Sequence, residues 1–305
     1  MNQGATLNQG HALNQGYVYR DRVRPEDAGA NVLDYHARRF PHAGLDEWRD
    51  TIDAGRVLVN DEVASAARVL EIGDRLEFRR PPWEEPAAPD HFAVLYEDDA
   101  VLAVDKPAGL QVLPAGPFLE RTLLRLVQTS ASSRAEAAPV HRLGRGTSGI
   151  VLFGRTAAAR ASLSMQFRDC TPTKTYLAWV EGNDLPDSVV ARHPIGPVPH
   201  GPLQLHVAHP DGKPSTTRVR VLRRDRSAMR CLVAAQPITG RPDQIRIHLA
   251  ALGAPIVGDP LFGVGGVAKS DVPPGACGYL LHATRLRCRH PFTGRELRLR
   301  STPPW

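Results

Sequence analysis

The stretch His141–Phe153 constrains this chain most. Residues 141–149, His-Arg-Leu-Gly-Arg-Gly-Thr-Ser-Gly, put two arginines, a histidine, a Thr-Ser pair and three glycines into nine positions. Ile150-Val151-Leu152-Phe153 then runs apolar. Glycine where bulk is forbidden, with arginine beside it, points to a tight loop that meets a phosphate-bearing ligand. An ordinary basic turn has the same composition. The apolar run reads as a buried strand.

With 305 residues the chain holds one large domain or two unequal ones. No apolar run approaches the ~20 residues of a membrane span. The N-terminus lacks the basic-then-apolar pattern of a secretory leader, so a cytoplasmic location is expected. Cys170, Cys231, Cys277 and Cys288 form no Cys-x-x-Cys pair and read as reduced thiols. Charge is uneven. Residues 1–90 carry 11 Arg and no Lys against 16 acids, a net −5, while residues 91–305 carry 27 basic against 16 acidic residues, a net +11. A polyanion partner is therefore expected on the C-terminal two-thirds.

Asn-Gln-Gly recurs at Asn2, Asn8 and Asn14, and residues 1–16 read as a disordered low-complexity tail. Residues 17–80 read as a small domain. It has helical stripes at Val32, Leu33, Tyr35, His36, Phe40 and at Leu45, Trp48, Ile52, then a strand, an Asn60-Asp61 turn and a strand, and a last strand after Gly73-Asp74. Residues 81–90 are a Pro-rich linker. From 91 to 305 the pattern gives an α+β domain. It includes a hairpin over Phe92–Val104, helices over Thr122–Gln128 and Thr156–Arg168, and a strand over Lys174–Gly182. A long loop over His193–Gly212 and strands over Thr217–Leu222, Met229–Ala235, Tyr279–Arg289 and Glu296–Leu299 complete it.

Five motifs, in order, resemble the RluA-type pseudouridine synthases. They are Asp105-Lys106-Pro107-Ala108-Gly109, the 141–149 stretch, Lys174-Thr175-Tyr176-Leu177-Ala178, Gly240–His248 and Gly253–Gly263. The resemblance implies a mixed, mostly antiparallel central sheet with flanking helices and a cleft. The small domain looks like the alpha-L RNA-binding module. An isomerase acting on uridine in rRNA or tRNA is implied, with no cofactor or metal, because the base is both leaving group and returning nucleophile. A cytoplasmic monomer with RNA as partner, and neither DNA nor membrane, is expected.

The family's catalytic aspartate stands at position 144, and this chain has Gly144 there, which places it in a subgroup with glycine for the usual acid. The family's histidine before Gln-Ile-Arg is Asp243 here. Asp243 lies three residues before Arg246, so on a helix the two share a face, and a first-turn acid is favoured by the helix dipole. Asp243 is the candidate replacement carboxylate. Arg246, by the resemblance, keeps the acid ionised and oriented, and Tyr176 stacks on the target base. Asp105 and Asp259 are lesser candidates, and a non-catalytic RNA-binding protein with the same fold is the alternative. Arg142, Gly144, Arg145, Thr147, Lys106 and Arg241 are expected to face RNA. Ser148 shows no inferable His-Asp partner, and His141, His248 and His282 are expected to be hydrogen-bonded structural or RNA-contacting groups.

Overall fold

The computed structural model describes residues 13–41, 43–200, 203–272 and 275–305. The chain divides into two compact units, one up to residue 85 and one from residue 86 onward. Most of the tail expected over 1–16 lies outside the described residues. Asn14, in its last repeat, is buried, and its amide donates to the Glu85 carboxylate at 3.0 Å.

The first unit pairs strands β1 (Tyr17–Arg22), β2 (Val57–Val59), β3 (Glu62–Val63) and β4 (Arg75–Arg80) in the order β1-β4-β2-β3, every pair antiparallel. Helices α1 (Val32–Arg39) and α2 (Leu45–Asp53) bury Val32, Tyr35, Trp48 and Ile52. The Asn31 side chain caps α1 by accepting the Asp34 N–H at 2.8 Å. Asn60 and Asp61 both take positive φ, 52° and 72°, as the tight β2–β3 turn demands. Strand β1 was not legible in the sequence: its residues are mostly exposed and carry no alternation.

The second unit is built on a ten-stranded sheet. Its strands are β5 (Ala93–Glu97), β6 (Val101–Lys106), β7 (Ala138–Pro139), β8 (Ser148–Gly154), β9 (Thr173–Glu181), β10 (Ser188–Ala191), β13 (Thr217–Asp225), β14 (Arg230–Pro237), β15 (Leu281–Arg289) and β16 (Glu296–Arg300). The order is β10-β13-β14-β9-β15-β8-β6-β5, with β16 beside β15 and β7 beside β8. Only β15 and β8 run parallel. Strands β11 (Ile195–His200) and β12 (Leu203–Ala208) form a separate pair within the segment expected to be a long loop. That expectation is corrected: Ile195 and Leu205 are buried against Ile247 and Phe262, and this packing outweighs the local Pro and Gly content.

Helix α3 (Leu123–Ser130) is capped by Thr122, and α4 (Ala157–Arg168) by Thr156, whose hydroxyl accepts the Ala159 N–H at 3.2 Å. Helix α5 (Gln244–Ala251) buries Ile245 and Leu249 against β9 and β14 through Ala178, Val180 and Val233.

Strand β8 is buried along its whole length, as its apolar run requires. Gly149 sits at φ +110°, and a Cβ there would lie 2.4 Å from the Ala283 carbonyl oxygen on β15. A Cβ on Gly146 would lie 2.7 Å from the Tyr279 ring. Bulk is thus forbidden at these two glycines by the fold's own neighbours, not by a phosphate.

Lys106 corrects the expectation of an RNA-facing cation. It is fully buried. Its ammonium donates to the carbonyls of Pro107 at 2.8 Å, Leu110 at 2.7 Å and Arg145 at 3.1 Å. Burial pushes its pKa down to about 7. It fastens the turn after β6 to the 141–147 loop. Lys106→Met would leave the Pro107 and Leu110 carbonyls without this donor and the Arg145 carbonyl with only the Gly109 N–H, and is expected to lower unfolding stability in urea by about 3 kcal/mol. A change within about 0.5 kcal/mol would refute this fastening role.

Candidate active site

A cavity of about 320 Å3 opens between the 141–147 loop, the start of β9 and the N-terminus of α5. Gly144, Tyr176, Asp243 and Arg246 all line it, so the structure brings these four sequence candidates together. Arg142 and Arg241 line it as well.

Arg246 is the best-held group in the cavity. Its side chain is 4% exposed. Nε and Nη2 donate to the two Asp259 oxygens at 2.8 Å each, a bidentate pair. Nη1 donates to Asp243 Oδ1, also at 2.8 Å. The guanidinium lies over the Tyr279 ring at 4.2 Å and the Phe262 ring at 4.8 Å. Burial opposes its charge, but the bonds from Asp259 and the charge of Asp243 prevail and hold it above the usual guanidinium range.

The two acids of this triplet differ. The Asp259 side chain is 1% exposed, and its Oδ1 also accepts the N–H groups of Leu261 and Phe262 at 2.9 and 3.1 Å. Its lone pairs are committed, so it serves as an anchor. Asp243 is 33% exposed at its side chain and spends one oxygen on Arg246. It does not sit in the first turn of α5, as the sequence suggested, but at the N-cap, in the left-handed region at φ 49°. Its side chain does not cap the helix; it turns to Arg246. A non-glycine residue held in that region is a strained conformation of the kind that clusters at functional sites.

Tyr176 is half-buried, and burial pushes its phenol up to about 12, so it is a neutral ring at the cavity wall. A Cβ on Gly144 would meet the Tyr279 hydroxyl at 3.0 Å and Thr147 Oγ1 at 3.5 Å. Those two oxygens are bonded to each other at 3.1 Å. Thr147 is mostly buried and engaged with Tyr279, and it also lines the cavity. Arg145 does not line the cavity; its Nε donates to the Gly275 carbonyl at 3.1 Å and its guanidinium lies 5.3 Å from the Phe118 ring centre. Arg142 is exposed at the rim, and Arg241 bonds the Pro214 carbonyl.

Three cavity residues are not evident from the sequence. Lys174 lines the cavity without a hydrogen bond or ion pair among the described residues, and burial lowers its pKa. Two positions before Tyr176 on a strand, it shares that residue's face, and this spacing could have flagged it. Phe167, from the last turn of α4, stacks on His141 at 4.4 Å. Burial, followed by the charge of Lys174, pushes His141 down to about 3, so it is neutral. Its Nε2 accepts the Leu152 N–H. Gln244 accepts from Thr239 at 2.7 Å and from the Arg241 N–H at 3.0 Å, which shapes the loop leading to Asp243.

Ser148 does have a histidine partner. Its hydroxyl lies 2.9 Å from His282 Nδ1, and His282 Nε2 lies 2.9 Å from Ser301 Oγ, which donates to Asp105 at 2.7 Å. Ser148 and His282 are buried at 4% and 1% exposure and do not line the cavity, so this relay ties β8, β15 and β6 together without meeting a substrate there. Asp105, engaged in the relay, is not at the site.

Known proteins are similar to this chain along most of its length. The model of the RNA pseudouridylate synthase family matches residues 100–251. RNA pseudouridine synthase 5 of Oryza sativa subsp. japonica is 37% identical, over 94% of this chain and 86% of its own. Ribosomal large subunit pseudouridine synthase D of Neisseria meningitidis serogroup A is 34% identical, over 92% of this chain and 77% of its own. The solved structure of human RNA pseudouridylate synthase domain containing 1 superposes with a TM-score of 0.58 at 27% identity, over 72% of this chain and 86% of that one. On fold, site and sequence together, the chain belongs to the RluA family of RNA pseudouridine synthases, isomerases that convert uridine to pseudouridine in RNA.

Proposed function

We propose that this enzyme works with Asp243 as its carboxylate, as a branch of the family in which glycine stands for the usual aspartate. One observation carries the reading: among the described residues Asp243 is the only acid lining the cavity, and it is ion-paired there to Arg246. The substrate to test first is rRNA, the RNA in the name of the Neisseria relative. The enzyme acts as a cytoplasmic monomer, in keeping with four free cysteines.

The target uridine leaves its stack and enters the cavity, where the Tyr176 ring gives it a surface. Arg142 and Arg241 at the rim meet the flanking phosphates. Arg246, fixed by Asp259, pairs with Asp243 and aims it. The ionised carboxylate bonds to ribose C1′ or takes a ribose proton. The N1–C1′ bond breaks, the base turns, and C5 bonds to C1′ as the carboxylate is displaced from C1′ or, where it took a ribose proton, as that proton returns to the ribose. C5 gives up its hydrogen as a proton and N1 gains one, so no co-reactant is consumed.

Pseudouridine formed on total RNA measures this directly. Asp243→Asn is expected to fold normally and lose activity about 10^3-fold or more. Full activity in that variant overturns the assignment. RNA binding by wild type without pseudouridine on any RNA favours the non-catalytic alternative, whose motivating feature is Gly144. Asp259→Asn breaks the buried bidentate pair and is expected to cost about 3 kcal/mol of stability in urea as well as activity, unlike Asp243→Asn. Tyr176→Phe is expected to keep kcat within about tenfold and Tyr176→Ala to lose it, because the ring and not the neutral hydroxyl is used. Equal losses in both would remove the stacking role.

A further inference from the structure

We infer that the sheet face opposite Tyr176 is a second RNA-binding surface, one that grips backbone phosphates away from the reacting uridine. Cross-strand partners share a face. Arg218 faces Gln236 across β13 and β14, and the Gln236 amide donates to the Thr175 hydroxyl on β9 at 3.3 Å. Thr175 faces Arg285 on β15, and Arg285 faces Arg300 on β16. One row therefore crosses five strands with arginine at both ends. It spans about 19 Å at the usual strand spacing of ~4.8 Å. Thr175 neighbours Tyr176, so the row points to the other side of the sheet from the cavity. Arg220, facing Ala234, stands beside it on the same side.

Arg218, Arg220, Arg285 and Arg300 are exposed and make no side-chain hydrogen bond or ion pair among the described residues. Between Arg218, Arg220 and Arg285 lies a depression of about 520 Å3, lined also by Thr175, Leu177, Leu222, Ala234 and Gln236. The nearby acids are taken: Glu296 by Arg298 and Asp187 by Arg224. The lining mixes polar groups with Leu177 and Leu222 and holds no aromatic anchor for a protein partner. Rigid guanidinium forks around an open trough suit the phosphates of structured RNA, which is read by shape and backbone. This surface rests on RNA being the substrate, but it does not depend on which carboxylate reacts.

The test is fluorescence-anisotropy binding of the full chain to a transcribed large-subunit rRNA fragment and to a generic RNA duplex, across a KCl series. In Arg218→Ala/Arg220→Ala/Arg285→Ala/Arg300→Ala the slope of log K against log salt is expected to shrink by about 2 to 4, at ~0.9 for each phosphate no longer neutralised. Affinity at low salt is expected to fall at least about tenfold, while kcat at saturating total RNA is unchanged. The matching four Arg→Lys changes are expected to restore most of the slope, since lysine keeps the charge. Wild-type affinity and slope in the folded alanine variant, judged by its melting curve, overturn the proposal. If the alanine variant does not fold, Arg→Gln at the same four positions replaces it: a reduced slope supports the surface and a wild-type slope overturns it. Absence of pseudouridine from wild type would strike the catalytic reading and leave these binding results standing.

Discussion

Arg246 organises the site. A guanidinium that is 4% exposed must have its donors met and its charge matched, or the desolvation cost is several kcal/mol. Asp259 meets that demand with both oxygens, and two aromatic rings close the faces. Nη1 is left over from that pair, and Asp243 accepts from it. Division of labour between the two acids follows from geometry. The anchor is saturated and sealed, and the second acid keeps an oxygen for chemistry.

On the proposed reading, the loop can lack an acid because another wall supplies one. Gly144 and Asp243 line the same cavity from different walls. On that reading the carboxylate has to be oriented and within reach of ribose, and Arg246 holds Asp243 in place. The place above Gly144 is bounded by the buried Tyr279 hydroxyl, which is hydrogen-bonded to Thr147.

Much of this was legible locally. The Asn60-Asp61 turn, the caps at Thr122 and Thr156, and the buried strand after Ser148 follow from short-range rules that the fold does not override. The pairing of Asp243 with Arg246 followed from helical spacing. What was not legible depended on distant partners. Lys106 looks like a surface cation until three carbonyls from two loops close on it. Gly146 and Gly149 look like ligand-driven glycines until Tyr279 and Ala283 arrive from more than a hundred residues away. The left-handed backbone at Asp243 leaves no trace in composition. The pair β11–β12 is held by contacts to α5 and Phe262 that no local window contains.

Lys106 has one more consequence. With its three carbonyl bonds on one side and Arg246 wedged between rings on the other, both walls of the cavity are fixed before any substrate arrives. On the proposed reading, walls tied down in this way leave the deformation to the RNA. Uridines in loops, bulges or mismatches cost less to extrude than paired ones. Choice of target is thereby transferred from the shape of the protein to the mechanical softness of the nucleic acid around each uridine.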